Sequence, residues 1–443
     1  MDIAKYKKDY IAIVKLGLPI LIGQLGMIVV GFADNVMVGR YSTEALASAS
    51  FVGNVFNIAI LACMGFTYGL TPLIGALFSQ ERYAAIGSIL RNGVLLNVLF
   101  ALLVSVVMCV LYFNVDRLGQ PEELLPLIRP YYLLFLVGIL PISLFNVFAQ
   151  WAYAINRSKM PMWIILVANV ANVVGNYVLI YGKWGFPEMG LTGAGISTLF
   201  SRVLSLVCIL CVFFCAKEYR KYRDGFMSSS ISADRIKQVL RTSWPVSLQM
   251  ALETGAFSCS AIMAGWLGKV PLAAYQVLLI IGTLGFCVYY SMAASVSVLV
   301  ANASGMNDRK AMRRVSFAGY HIILLLATIA SAVFVFWGEP LICIFTDDEA
   351  VIATSVSLIV PLVLYQLGDA TQINFANALR GTSNVMPMLW IAFVSYVVIG
   401  LPVTYLMGFP LSMGIYGIFL SFSVSLFVAA GLFVYFFMRT TRK

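Results

Sequence analysis

Twelve stretches of predominantly apolar residues, each long enough for a membrane-spanning helix, follow one another along this chain of 443 residues. About 20 such residues in a helix cross the hydrocarbon core of a bilayer, where backbone groups must be satisfied within the protein. The sequence therefore predicts an all-α polytopic membrane protein with twelve transmembrane helices. The predicted spans are centred on residues 12–36, 50–76, 90–113, 129–151, 160–181, 192–215, 243–266, 273–300, 315–337, 354–378, 386–408 and 413–437.

The composition excludes several classes of soluble protein. Hydrophobic residues make up 61% of the chain and charged residues 11%, against roughly 25% charged residues in a globular domain. A soluble fold of this size could not bury so much apolar surface, which excludes a soluble enzyme, a nucleic-acid-binding domain and a disordered chain. We therefore expect the basic residues behind the net charge of +10 to lie at the surface of the lipid bilayer, and we expect no nucleic-acid partner.

Basic residues fall mainly on one side of the predicted spans. Of the 29 lysines and arginines, 23 lie in the N-terminal segment, the even-numbered connections and the C-terminal tail, five lie in the odd-numbered connections, and Arg202 is left near the sixth span. Cytoplasmic loops carry such an excess of basic residues, so both termini are predicted to be cytoplasmic. Residues 1–15 are accordingly expected to be a cytoplasmic leader rather than a removable signal.

The two halves of the chain repeat each other with a shift of 226 residues. Pro19 aligns with Pro245 and Gly39 with Gly265 at this shift. Each half contains six spans and enters the membrane from the same side, which predicts two six-helix lobes related by a parallel pseudo-twofold repeat, with transport by rocking of the lobes. The predicted organisation is an N-lobe over residues 1–216, a cytoplasmic linker over 217–241 and a C-lobe over 242–443.

Three acidic residues lie inside predicted spans: Asp34, Glu253 and Asp369. An ionisable side chain at the centre of a transmembrane helix costs roughly 2.5–3.5 kcal/mol, and no basic residue is expected at comparable depth to pair with these acids. Such residues mark ion or substrate pathways. The alternative for Asp34 is that it only caps its helix near the outer surface of the membrane. The repeat pairs none of the three with another acid, so we expect different tasks in the two lobes.

Two amide side chains accompany the acid of the N-lobe. Asn172 and Asn176 are four residues apart and share one face of the fifth span. An amide can hydrogen-bond a carboxylate or its proton. The sequence therefore predicts an N-lobe site in which these asparagines join Asp34.

Polar side chains also accompany the two acids of the C-lobe. Gln249 precedes Glu253 by one helical turn, and Tyr365, Asp369 and Gln372 share a face of the tenth span. Oxygen donors without imidazole or thiolate suit a proton or a hard monovalent cation rather than zinc. We therefore predict a C-lobe site that binds Na⁺ or a proton at Glu253 and Asp369.

Cysteine and histidine give no sign of a metal centre. The eight cysteines nearly all lie in apolar spans, without the paired loop spacing of a disulfide framework. Cys208, Cys211 and Cys215 lie on one apolar helix with no fourth ligand nearby, which favours packing. The single histidine, His321, is interpreted as a packing or interface residue rather than a proton relay.

Three motifs, taken with the repeat, resemble one known family. They are GFADNVMVG over residues 31–39, ALETG over 251–255 and YQLGD over 365–369. Together they resemble the MATE (multidrug and toxic compound extrusion) transporters, and the three-acid set resembles the NorM branch of that family. The resemblance covers essentially the whole chain.

The resemblance implies a V-shaped, two-lobed fold that exports hydrophobic, often cationic compounds in exchange for Na⁺ or protons. It implies no enzymatic activity, and we expect no organic cofactor and a monomer in the bacterial cytoplasmic membrane. The site residues that it implies are Glu253, Asp369 and Tyr365 for the cation in the C-lobe, and Asp34, Asn172, Asn176 and Thr198 for a proton or drug in the N-lobe.

Three alternative functions fit the sequence less well. A lipid-linked oligosaccharide flippase of related fold should line its cleft with arginine or lysine to bind anionic head groups, whereas the candidate residues here are acidic. A major-facilitator transporter shares the twelve spans, but its basic, glycine-rich motif is absent at residues 79–82. A membrane-embedded hydrolase or transferase needs a nucleophile–base pair or a metal cluster, and the sequence shows no such motif.

Overall fold

Every regular element in the described part of the computed structural model, residues 3–117 and 121–442, is helical. Short 3₁₀ turns and one π-helix, Phe393–Gly400, accompany the α-helices. The α-helices are α1 (Ile3–Tyr41), α2 (Thr43–Tyr68), α3 (Leu70–Ser79), α4 (Tyr83–Phe113), α5 (Leu125–Val137), α6 (Ile139–Ala154), α7 (Lys159–Ile180), α8 (Gly190–Cys215), α9 (Arg220–Ser228), α10 (Ala233–Trp266), α11 (Lys269–Gly305), α12 (Arg309–Cys343), α13 (Glu349–Ser357), α14 (Ile359–Gly381), α15 (Met386–Ala392), α16 (Leu401–Gly408) and α17 (Gly414–Arg442).

The number of helices long enough to cross a membrane agrees with the prediction. Ten helical segments of the described chain are long and apolar enough, and α13 with α14 makes an eleventh if the pair counts as one span. The 34-residue α10 is more polar than these, and counting it gives the predicted twelve. The tenth span differs from a simple helix because α13 and α14 meet at a bend of 50°. Pro361 follows this bend and lacks the backbone N–H that would continue the helix.

Polar caps fix where several helices begin. The Ser42 side chain accepts a hydrogen bond from the backbone N–H of Ala45, which begins α2. Asp308 caps α12 and Asp348 caps α13 in the same way. Each cap satisfies a backbone donor that the first helical turn leaves without a partner. Short polar side chains therefore determine where α2, α12 and α13 begin.

The helices form two compact units. The N-unit consists of Ile22–Ser247, and the C-unit consists of the described residues on either side of that range. Two helices contribute to both units: α1 changes unit after Leu21 and α10 changes unit after Ser247. These two positions differ by 226 residues, so the internal repeat relates them to each other.

Side-chain contacts fix the first half of α1 within the C-unit. Arg314 Nε donates to Asp9 Oδ2 at 2.6 Å, and the Tyr10 hydroxyl lies 2.9 Å from His321 Nδ1. The lone histidine therefore packs against the first helix, as predicted. Close packing continues along α1, because a Cβ placed on Gly17 would lie 2.8 Å from a side-chain atom of α11.

The predicted linker segment contains α9, which packs against α4 inside the N-unit. The two backbones nearly touch: a Cβ on Gly225 would lie 2.6 Å from Ala84 Cα, and a Cβ on Gly87 would collide with the Tyr222 carbonyl oxygen. The Tyr222 ring is buried edge-on against Trp151, with 5.7 Å between ring centroids. This segment is therefore an ordered part of the N-unit.

An arginine of α4 holds the C-terminal end of α9. Arg91 Nη1 donates to the carbonyl oxygens of Met227, at 3.1 Å, and Ser229. Asn92 Oδ1 accepts a hydrogen bond of 3.0 Å from the backbone N–H of Ser232. These side chains satisfy backbone groups that the end of a helix leaves without partners.

The helix α14 packs against α11, α12 and α17 in the C-unit. Small residues allow this packing: a Cβ on Gly381 would lie 2.6 Å from the Ser297 carbonyl oxygen, and a Cβ on Gly368 would lie 3.1 Å from Leu426 Cβ. Neighbours on three helices therefore fix the position of α14, which carries Asp369.

The close approach of α4 and α9 generates a first prediction. Gly87→Ala should lower the free energy of unfolding by about 1–3 kcal/mol, because the added methyl group meets backbone rather than a flexible side chain. Thermal unfolding of the purified protein in detergent measures the change. The matched control is Gly53→Ala on α2, where a Cβ meets nothing within 4 Å and helix propensity should add up to about 1 kcal/mol. Equal stability of the two variants would contradict the prediction.

Candidate functional site

Asp34, two asparagines and a threonine form one hydrogen-bonded chain in the N-unit. Asn176 Nδ2 donates to Asp34 Oδ1 at 2.5 Å and lies 3.4 Å from Asn172 Oδ1. Asn172 Nδ2 lies 3.4 Å from Thr198 Oγ1. Asp34 does not cap its helix, because α1 continues to Tyr41. The structure thus brings together the four residues predicted for the N-lobe site, and their roles stay predictions.

A close approach of α7 and α8 positions this chain. Asn172 and Asn176 lie one turn apart on α7, and the residue between them that faces α8 is Gly175. A Cβ there would lie 2.5 Å from Ser197 Oγ, so only a glycine allows the two helices to come so close. Ser197 Oγ donates to the Asn172 carbonyl oxygen at 2.7 Å and fixes the register between the helices. Both asparagines are buried, whereas Asp34 is only partly buried.

The structure corrects the prediction that no basic residue lies near the acids inside the spans. Arg202 lies on α8 one turn beyond Thr198, and its guanidinium interacts electrostatically with Asp34. The guanidinium also lies over the Phe135 ring, 4.7 Å from the centroid. The charge count placed Arg202 near the sixth span, but the sequence does not tell which acid its side chain approaches.

Two carboxylates lie within electrostatic range of each other in the C-unit. Gln249 Nε2 donates to Glu253 Oε2 at 2.8 Å across one turn of α10. Asp369 on α14 is 3% exposed, and its Oδ2 has no hydrogen-bond partner among the described residues. Glu253 is the charged neighbour of Asp369. The C-unit therefore brings together both acids predicted for the C-lobe site and leaves one buried oxygen without a donor.

The predicted site tyrosine, Tyr365, lies one turn before Asp369 on α14. It is 8% exposed, and both carboxylates of the C-unit are electrostatic neighbours of its hydroxyl. Phe257 and Phe419 meet its ring edge-on, with centroids 6.3 and 6.2 Å away. The aromatic contacts hold the ring, so the hydroxyl stays beside the acids.

Sequence reasoning missed Tyr396, which joins this group from the π-helix Phe393–Gly400. Its hydroxyl lies beside Glu253 but makes no hydrogen bond of regular geometry. A cavity of about 10 Å³ adjoins the ring, which is roughly the space that one water molecule needs. A π-helix inside an α-helical span often marks a functional site, but the apolar run around Tyr396 carries no sequence signal for one.

Arg380 departs from its predicted place in a cytoplasmic connection. It lies in the last turn of α14, is 6% exposed and interacts electrostatically with Glu253. The helix α14 extends beyond the apolar stretch that predicted the tenth span. Hydropathy identifies the lipid-facing part of a helix and does not show where the helix ends.

The chemistry of the C-unit group suits a small hard cation or a proton. Carboxylate and phenol oxygens lie within electrostatic range of one another there, and Asp369 Oδ2, which has no partner among the described residues, provides a vacant acceptor. No cluster of three or more His, Cys, Asp or Glu side chains that could hold a metal ion occurs in residues 3–117 or 121–442. A Na⁺ ion carried as a coupling ion would be held by Glu253 and Asp369.

Comparison with known proteins identifies the family. The MatE family model matches residues 19–178 and again residues 245–406. This chain belongs to the MatE family. The two matches begin 226 residues apart, which confirms the internal repeat that relates the two halves of this MatE chain.

Two relatives of this MatE chain are named as multidrug resistance proteins. A probable multidrug resistance protein NorM of Bradyrhizobium diazoefficiens is 28% identical, with 98% of this chain and 94% of the relative covered. The multidrug resistance protein NorM of Aliivibrio fischeri is 27% identical over 94% of this chain and 92% of its own length. A crystal structure of a mutant of a Vibrio cholerae MATE transporter has the same fold, with a TM-score of 0.88, 15% identity, and 99% and 98% of the two chains covered.

The hydrogen bond between Asn176 and Asp34 generates the second prediction. Asn176→Ala should cost about 1.5–3 kcal/mol in the free energy of unfolding, because a buried donor to a charged acceptor is lost. In an Asp34→Ala background the same change should cost at least about 1 kcal/mol less, since the two groups act as a pair. Unfolding in mixed micelles measures the four energies.

The control for this cycle is an exposed acid of the same unit. Asp116 forms an ion pair with Arg129 at the surface, 2.7 Å apart. Asp116→Ala should therefore be additive with Asn176→Ala, because distant sites do not couple. Additive energies in both cycles would show that the Asn176–Asp34 contact contributes nothing to stability.

Proposed function

We propose that this chain is a secondary active antiporter that exports hydrophobic, often cationic small molecules from the cytoplasm in exchange for Na⁺ or protons, by rocking-bundle alternating access. The observation that carries the proposal is the buried Asp369 carboxylate, which has one oxygen without a partner and a second acid, Glu253, beside it. A buried charge of this kind is costly unless a cation or proton occupies it. Membership of the MatE family and the names of the curated relatives support the substrate class.

The C-unit is proposed to bind the coupling ion. Glu253, Asp369 and Tyr365 supply two carboxylates and a phenol, and a cation or proton between them relieves the repulsion of two acids in an apolar unit. Entry of one positive charge along the membrane potential supplies roughly 2.3 kcal/mol per 100 mV. For a neutral compound exchanged for one such charge, that energy corresponds to a concentration ratio of about fifty-fold. A monocation exchanged one for one moves no net charge and is driven only by the concentration gradient of the coupling ion.

The N-unit is proposed to alternate between the exported compound and a proton. An ionised Asp34 attracts a lipophilic cation, which aromatic side chains can bind through their ring faces. Protonation of Asp34 removes this attraction and releases the compound. Asn172, Asn176 and Thr198 orient the carboxylate in both steps, because their hydrogen-bonded chain ends on it.

The proposed setting is the bacterial cytoplasmic membrane, with a monomer as the working unit and both termini in the cytoplasm. The excess of basic residues in the even-numbered connections supports this orientation. No organic cofactor and no enzymatic step are needed, since ion gradients supply the energy.

A lipid-linked oligosaccharide flippase is the alternative within related folds. Arg202 is a partly buried basic residue of the kind such a flippase would use, but its charged neighbour is Asp34 rather than other basic groups. Dye export from proteoliposomes, driven separately by an imposed Na⁺ gradient and an imposed pH gradient, distinguishes the two functions. A flippase would move lipid-linked oligosaccharide and leave the dye unmoved under both gradients.

Removal of the C-unit charges is the third prediction. Glu253→Gln or Asp369→Asn should reduce ion-driven dye export in proteoliposomes at least about ten-fold, because the cation loses its charged ligands. The matched controls are Glu349→Gln and Asp347→Asn, which change exposed acids of the same unit and should export like the wild type. Wild-type coupling in either site variant would remove the assignment of the C-unit site.

Removal of the N-unit charge is the fourth prediction. Asp34→Asn should abolish the drug resistance that the wild-type protein confers on cells, since a neutral amide neither attracts a cation nor exchanges a proton. Growth inhibition by a lipophilic cation measures resistance, and immunoblotting of membranes confirms normal insertion. Unchanged resistance at normal expression would show that Asp34 has no part in transport.

A further inference from the structure

Arg202 belongs to the hydrogen-bonded group of the N-unit by position. It lies four residues after Thr198 on α8, and residues four apart on a helix share a face. Thr198 joins Asp34 through Asn172 and Asn176. The guanidinium interacts electrostatically with Asp34, so a fixed positive charge lies within electrostatic range of the proposed substrate acid.

The surroundings of Arg202 hold the guanidinium in place without neutralising it. Its group lies over the Phe135 ring at 4.7 Å, and a Cβ on Gly138 would lie 2.6 Å from Nη1, so the backbone of α5–α6 packs against it. Nη1 is buried and has no hydrogen-bond partner among the described residues. A buried cation needs a negative neighbour, because its loss of hydration is otherwise uncompensated.

Three titratable groups interact in this part of the N-unit: Asp34 on α1, Tyr131 on α5 and Arg202 on α8. The residues that α7 adds are the neutral amides of Asn172 and Asn176. With Asp34 ionised, the group carries no net charge. With Asp34 protonated, it carries a net charge of +1, since arginine stays charged in proteins.

We propose that Arg202 is the fixed internal counter-ion of Asp34 and determines which ligand charges the N-unit site accepts. This inference rests on the proposed exchange function. Protonation of Asp34 changes the net charge of the site from zero to +1, so a bound cation is then repelled and released. A monocation must compete with Arg202 for the carboxylate. A zwitterionic compound matches both charges and should bind relatively better.

Two dyes that share one ring system but differ in net charge test this proposal. Tetramethylrhodamine is a zwitterion at pH 8.5, and its methyl ester is a monocation of nearly the same size. Fluorescence polarisation with the purified full chain in nanodiscs gives both Kd values for the wild type, Arg202→Gln and Arg202→Lys. Arg202→Gln should tighten binding of the ester about ten-fold relative to the zwitterion, and Arg202→Lys should restore the wild-type ratio.

The pH at which the bound ester is released provides a second readout. In Arg202→Gln the midpoint of release should move up by about one pH unit, because the ionised carboxylate has lost its positive neighbour. A residue that only packs would change both Kd values alike and leave this midpoint in place. Equal changes for the two dyes in Arg202→Gln and Arg202→Lys, with an unmoved midpoint, would overturn the proposal.

Asp34→Asn provides the test if Arg202→Gln does not fold. Its N-unit group carries a permanent charge of +1, so the ester should lose at least about ten-fold in affinity. The zwitterion should lose several-fold less, because its own carboxylate still meets the charge of Arg202. Equal losses for both dyes would overturn the proposal. The exporter function is tested apart from this, by wild-type export of the ester from proteoliposomes. If the dyes show the predicted selectivity but the ester is not exported, the role of Arg202 stands and the proposed exporter function is wrong.

Discussion

An ionised oxygen inside an apolar helix bundle must find its partner within the protein, because no bulk water is there to solvate it. The two units meet this constraint differently. Asp34 receives a hydrogen bond from Asn176 and has Arg202 as a charged neighbour. Asp369 has a second carboxylate as its neighbour and one oxygen without any donor. The N-unit acid is therefore largely satisfied by its own unit. In the C-unit, Arg380 is a charged neighbour of Glu253, whereas Asp369 Oδ2 finds no donor among the described residues.

Close backbone contacts make these sites possible. A hydrogen bond between side chains of different helices needs the helices at a fixed distance and register. Gly175 supplies this for α7 and α8, and Gly138 leaves room for the guanidinium of Arg202. In the C-unit, Gly368 and Gly381 bring α14 against its neighbours. The glycines thus set the distances between these elements, since a methyl group at any of these positions would separate the helices or displace a neighbouring side chain.

The repeat duplicates the scaffold but not the chemistry. The helices α1 and α10 correspond to each other, and each changes unit at the corresponding residue. The same two helices carry Asp34 and Glu253, at positions that do not correspond. A change of charge at either acid therefore falls on a helix that belongs in part to each unit.

The membrane class, the twelve spans, the repeat and the three acids could be predicted from the chain alone, because they follow from hydropathy and helical spacing. The spacing of Asn172 and Asn176 likewise predicted that they would share a face. The tertiary structure brings Arg202 within electrostatic range of Asp34 and Tyr396 beside Glu253, and the sequence could not predict this because each pair joins helices far apart in the chain. The tertiary structure also decided the bend before α14 and the π-helix, because backbone geometry there depends on packing against neighbouring helices, which no local pattern records.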